Sequence, residues 1–188
     1  MKQVSESVGV FYQHYPRTAT IVCTYHEGKM DAMTCTWHCP LSSKPPLFGI
    51  LLSPKRFTYK LIVESGEFSV NFMPTESIGL LSEVGGTKGT TTDKFAAFNI
   101  SKDIPLKTNA PILADAYAAY ECKLIEDRRY GDHQLIVGEV VAVHWMAEHF
   151  TDDGSLDVKS VTPAFYLGND KYITKQKPTV EQIERIRS

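Results

Sequence analysis

Two long segments in the second half of the chain alternate with a period of two, and they constrain the fold more than any other feature. Ala114 to Asp127 carries Tyr117, Ala119, Glu121, Lys123 and Ile125 on one parity. Gln134 to Trp145 (QLIVGEVVAVHW) is mostly β-branched, with Gly138 as a bulge or a point of close packing. The link Arg128 to His133 (RRYGDH) holds a Gly-Asp turn. Together they predict a β-hairpin of long strands.

The first half adds shorter strands and a few helices. Thr18–Tyr25 (TATIVCTY) and Ala32–Trp37 (AMTCTW) read as strands around a hairpin turn at His26–Asp31, which contains Gly28. Cys39–Pro46 (CPLSSKPP) reads as a loop stiffened by proline. Leu47–Ser53 is a continuous apolar run, as in a fully buried strand. Phe57, Leu61 and Ile62 then share one helical face, with Gly66 as a stop. Phe68–Phe72 alternates again. Ser77–Val84 reads as a helix ended by Gly85-Gly86, and Thr87–Asp93 as a polar loop before a helical patch at Lys94–Phe98. At the C-terminus, Thr179 suits an N-cap, and Val180, Ile183 and Ile186 share a face of an amphipathic helix over about 179–187.

Many closely spaced strands with short helices between them predict a mainly β fold, an antiparallel β-barrel with helical decorations. No strand leads into GxGxxG, and no GxxxxGK[ST] occurs. The 188 residues suit a single domain with no linker or repeat, and a chain of this size buries roughly 70% of its unfolded surface without a staple. A net charge of −2 gives no electrostatic reason to expect nucleic acid. No apolar run is long enough to span a membrane, and the polar Met1–Val10 lacks a signal-peptide core, so a cytoplasmic location is expected. Of the four cysteines, Cys35 and Cys39 match no standard metal spacing, and free thiols are expected.

No GxSxG or HExxH motif offers a catalytic constellation. Hydroxyl and basic residues instead gather at strand ends. Ser53-Pro54-Lys55-Arg56-Phe57-Thr58 follows the buried strand and opens a helix. It reads either as a phosphate cradle at a helix N-terminus or as a helix cap with two solvated cations. Lys88-Gly89-Thr90-Thr91-Thr92-Asp93-Lys94 reads either as a second anion-binding loop or as a mobile surface loop. Thr34 and Thr36 share one strand parity and suit a planar heterocycle or a solvated edge. Asn71 needs partners if buried in its apolar strand.

The order of these segments is specific. Tyr15-Pro16, Asp31–Trp37, Pro40-Leu41-Ser42, Pro45-Pro46, Ser53–Thr58, Gly66–Asn71, Asp93-Lys94-Phe95, Glu121-Cys122, Gly131-Asp132-His133 and Gly138-Glu139-Val140 occur in series. This series resembles the flavin reductase-like FMN-binding split-barrel family, especially its flavoredoxin and archaeal ferric reductase branch, over roughly Tyr15 to Tyr172. The resemblance implies a Greek-key split barrel that forms a homodimer, with one FMN per subunit near the interface. It implies that Thr34, Cys35, Thr36 and Trp37 line the isoalloxazine ring, that Ser53, Arg56 and Thr58 hold the phosphate, and that Asn71 lies near the flavin. It also implies that the loop with Lys88, Thr90, Thr91, Thr92 and Lys94 closes over the phosphate or ribityl chain. His133 is implied to help bind a reductant, and Cys35 and Cys39, near the implied flavin, read either as redox-active thiols or as small buried hydrophobes. Many members carry Asn where this chain has Asp31, and Ser-Gly where it has Gly89-Thr90.

In such a protein the flavin supplies the redox chemistry, and no catalytic triad is required. The expected activity is that of an FMN-dependent oxidoreductase passing electrons from NAD(P)H or a protein donor to free flavin, ferric iron or a partner. A flavoredoxin-like carrier without a small-molecule substrate, and a non-redox flavin store, are the alternatives.

Overall fold

The computed structural model describes residues 1–174. The helix expected at 179–187 lies outside the described residues. The strands are β1 (Arg17–Thr18), β2 (Thr20–His26), β3 (Lys29–Cys35), β4 (His38–Ser43), β5 (Pro46–Leu52), β6 (Glu67–Phe72), β7 (Lys102–Asp103), β8 (Ile112–Leu113), β9 (Ala118–Tyr130), β10 (His133–Trp145), β11 (Phe165–Gly168) and β12 (Lys171–Ile173). The α-helices are α1 (Phe57–Ser65), α2 (Ile78–Gly86) and α3 (Lys94–Ala97).

Seven strands form one antiparallel sheet in the order β3-β2-β6-β9-β10-β5-β4. The sheet curls until its ends approach: beyond β3, the Trp37 carbonyl accepts from Leu51 N–H of β5 at 2.8 Å. The fold is therefore mainly β, a split barrel built from antiparallel strands. The expected β9–β10 hairpin is present but shifted toward its turn: β9 begins at Ala118 rather than Ala114, and pairing continues to His133↔Tyr130. Gly138 lies at a register shift. A Cβ there would stand 2.6 Å from Phe68 and 2.7 Å from Cys122, so only glycine lets these layers touch.

Strand β2 is buried on both faces. Ile21 and Cys23 join one core with Leu81 and Val84 of α2 and Phe95 of α3, while Val22 joins a second with Phe48, Ile62, Phe68 and Ile136 inside the barrel. Burial on both faces suits a strand that is β-branched on both parities and carries no charge before His26. Helix α1 runs Phe57–Ser65 as its periodicity predicts and ends at Gly66, whose φ of 70° suits glycine and whose N–H bonds to Ile62 O.

Two departures from the sequence expectations concern strands. Cys39–Pro46 is not a loop: His38–Ser43 is an edge strand paired with β5 and bulged between Pro40 and Ser42. An edge strand tolerates Pro40, since the missing N–H is absent from no ladder on its open side. The β11–β12 hairpin, which pairs with β1 in a small second sheet, has no counterpart in the sequence reading. Its turn residues Asn169 and Asp170 take φ of 50° and 57°. Among the described residues, no helix is long and apolar enough to cross a membrane.

Candidate functional site

The β5–α1 junction supplies the first wall of the site. Ser53, Lys55, Arg56 and Phe57 leave the buried strand and enter α1 at the rim of a cavity of about 350 Å³. No side chain caps α1, so first-turn N–H groups at Phe57 and Thr58 remain for a ligand. The facing wall is the loop after α2, where Lys88, Gly89 and Thr90 line the same space. The helix dipole and three cationic side chains, Lys55, Arg56 and Lys88, bias this cavity toward an anion.

A second recess of about 290 Å³ opens alongside, lined by Thr34, Thr36, Gly85, Tyr166, Asp170 and Tyr172 among others. Thr34 and Gly85 belong to both walls, so the two spaces adjoin. Helix α2 comes close to β3 there. Thr34 Oγ1 donates to Leu81 O at 2.6 Å, and a Cβ on Gly85 would touch Thr34 at 3.3 Å. One end of the combined space is cationic and the other is walled by tyrosines, which suits a ligand with an anionic tail and a flat, aromatic head.

The floor of the cationic cavity holds a buried cluster. Thr58 Oγ1 donates to Asp31 Oδ2 at 2.6 Å. Lys94 Nζ lies 3.4 Å from Asp31 Oδ1 and donates to Ala32 O. Asp93 caps α3 by accepting from Ala96 N–H, and Lys94, the first residue of the helix, is buried.

Thr34, Ser53, Arg56, Thr58, Lys88, Thr90 and Lys94 are thus brought to one cavity, and Thr36 to the adjoining recess. The other expected residues lie elsewhere. Cys35 points from the opposite face of β3 into the barrel core, 4% exposed, and its thiol lies 3.4 Å from Trp37 O. Burial pushes that thiol up to about 12, so it is neither beside the cavity nor a ready thiolate. Asn71 is fully buried away from the cavity: Nδ2 donates to Ile21 O and Ser69 Oγ, and Oδ1 accepts from Leu113 N. It stitches β6 to β2 and β8. Thr91 bonds back to Lys88 O, and Thr92 shares no cavity wall with its neighbours Lys88 and Thr90. The Thr58 hydroxyl donates to Asp31, while the Lys94 ammonium donates to Ala32 O and faces Asp31 as an ion pair. Trp37 and His133 stack on each other, with ring centroids 4.9 Å apart, outside both cavity walls.

The sequence reading missed Tyr166, Tyr172 and Asp170. The alternation of Phe165–Gly168 and Lys171–Ile173 about Asn169-Asp170 was the available signal.

A family model described as "Flavin reductase like domain" matches residues 12–167. The chain belongs to the flavin reductase-like family. Among curated proteins, an uncharacterized protein of Aeropyrum pernix is 30% identical over 84% of this chain, which spans 59% of that protein's length. An FMN reductase (NADH) of Methylorubrum extorquens is 25% identical over 65% of this chain and 69% of its own. Among solved structures, an FMN-binding protein from Thermus thermophilus with bound 1-cyclohex-2-enone superposes with a TM-score of 0.85 at 31% identity, covering 97% of this chain and 99% of that one. The match runs from ahead of β1 into β11, and so contains every residue that lines the cationic cavity and those of the recess except Asp170 and Tyr172.

Proposed function

We propose that this protein is an FMN-dependent oxidoreductase that takes electrons from NAD(P)H and delivers them to free flavin, ferric iron or a protein partner. The observation that carries this reading is the junction of a cationic cavity at an uncapped helix start with a tyrosine-walled recess, joined at Thr34 and Gly85. The residues fit FMN. Ser53, Lys55, Arg56, Lys88 and Thr90 would hold its phosphate, and Thr34, Thr36, Tyr166 and Tyr172 would flank its ring.

When bound, the flavin would supply the two-electron chemistry that the side chains here lack. The chain's own residues bind, orient and exclude water. Arg56 offers a planar guanidinium suited to a phosphate, and the N–H groups at the start of α1 add donors that need no reorganisation. Gly85 lets the backbone of α2 approach closely. His133 is held by Asp132, with Nδ1 and Oδ1 2.8 Å apart, and by Trp37 on one ring face, which leaves the opposite face for a reductant. The FMN reductase (NADH) relative supports a nicotinamide donor. A homodimer is part of the same proposal: Ile104, Leu106, Val143 and Trp145 are exposed apolar side chains that a second copy would cover.

Anaerobic addition of NADH to the FMN-loaded protein, followed in the visible spectrum, tests the activity. Bleaching of the flavin bands within seconds is expected. A spectrum that persists with NADH and NADPH alike would contradict it and favour a carrier reduced by another protein.

A further inference from the structure

Asp31 and Lys94 form an ion pair almost sealed from solvent, with Nζ and Oδ1 3.4 Å apart and side chains 2% and 4% exposed. Both line the cationic cavity. Asp31 Oδ2 accepts from Thr58, whereas Oδ1 is buried with no hydrogen-bond partner and meets Lys94 only through charge. The loop backbone closes over this carboxylate at Gly89, where a Cβ would collide with Oδ1.

A carboxylate in the wall of an anion cavity works against the anion unless its charge is cancelled. A lysine at the same wall, left alone, would join Lys55, Arg56 and Lys88 as a further cation. Paired, the two contribute no net charge. In a partly dry site, solvent screens such charges far less than on an open surface, so a bound phosphate senses whether the pair is intact.

We propose that Asp31 is a specificity-determining residue: by neutralising Lys94, it limits how strongly the cavity prefers a phosphorylated ligand over the same ligand without its phosphate. This rests on reading the cavity as the FMN phosphate site. A site tempered in this way leaves its flavin exchangeable, as suits a protein that hands flavin or electrons onward.

The test is the ratio of riboflavin to FMN dissociation constants, read by flavin fluorescence at fixed ionic strength. It is measured for the wild type, Asp31→Asn, Lys94→Gln and the double variant. The ratio rises roughly tenfold in Asp31→Asn, where Lys94 is unmasked, and falls roughly tenfold in Lys94→Gln, where the carboxylate is unmasked. In the double variant, neutral like the wild type, it returns to within about threefold of the starting value. A purely structural role weakens both ligands together and leaves the ratio unmoved, and that result overturns the proposal. If Asp31→Asn does not fold, an unmoved ratio in Lys94→Gln overturns it equally. A wild type that binds neither FMN nor riboflavin overturns the reading of the cavity itself, which separates the two failures.

Discussion

The imidazole of His133 packs on the indole of Trp37, with centroids 4.9 Å apart and planes inclined by 35°. The contact joins the start of β10 to the segment just beyond β3, and Trp37 Nε1 is fixed in turn by donating to Tyr15 Oη at 3.0 Å. A histidine held at its edge by Asp132 and at its face by Trp37 has one orientation to offer a reductant. His133→Ala should therefore slow flavin reduction by NADH roughly tenfold or more, in line with the loss of a positioned group. FMN affinity should be unchanged. Stopped-flow reduction beside a fluorescence titration checks both, and equal reduction rates would remove His133 from the mechanism.

Arg56 stands at the uncapped start of α1 and faces the cationic cavity. Arg56→Ala removes a charge-assisted contact worth about 2 kcal/mol, so FMN should bind roughly thirtyfold more weakly. Riboflavin, without a phosphate, should bind nearly as before. Comparable loss for both ligands would place the phosphate elsewhere.

Cys35 and Cys122 are buried, and burial pushes each thiol up to about 12; Cys23 is pushed higher still for the same reason. Cys39 alone of the four is partly exposed. Iodoacetamide at neutral pH should label Cys39 and spare Cys35 in the folded protein, as peptide mapping would show. Cys35→Ala should keep its flavin reduction, and loss of reduction at unaltered FMN content would restore a redox role to this thiol.

Glu121 is fully buried and accepts from Leu106, Lys107 and Thr108 N–H, from Thr108 Oγ1 and from His144 Nε2, at 2.7–2.9 Å. Burial alone would push its carboxyl up, but these donors override it and hold it down at about 2, against an ordinary value of 4.5. The stabilisation is therefore fully present above about pH 4.5 and is lost as pH falls toward about 2. Glu121→Gln should cost roughly 3 kcal/mol at neutral pH and flatten the acid limb of stability, measured by urea unfolding across pH. Parallel acid limbs in variant and wild type would refute the anchor.

Local signals were legible in the sequence, and long-range partners were not. The face of Phe57, Leu61 and Ile62 with Gly66 behind it predicts α1 to the residue, because periodicity and a left-handed stop act within a few positions. The parity that puts Thr34 and Thr36 at the recess also turns Cys35 away from it. The resemblance grouped all three by adjacency, although alternation separates them. Asn71 reads as a ligand group because its true partners, Ile21 O and Leu113 N, are distant in the chain. Strand β4 was hidden by Pro40, which its place at a sheet edge makes acceptable, and by the Pro45-Pro46 pair just beyond it. Lys94 reads as a phosphate contact until folding brings Asp31 against it.

The cationic cavity and the tyrosine recess are expected to hold one FMN between them. The most direct measurement is to saturate the protein with FMN, pass it through a desalting column and record the visible spectrum with the protein concentration. A flavin spectrum with close to one FMN per chain, reduced in Arg56→Ala, is the predicted result. Flavin that separates completely from the wild-type protein, with no shift in its bands on mixing, would contradict the account at its centre.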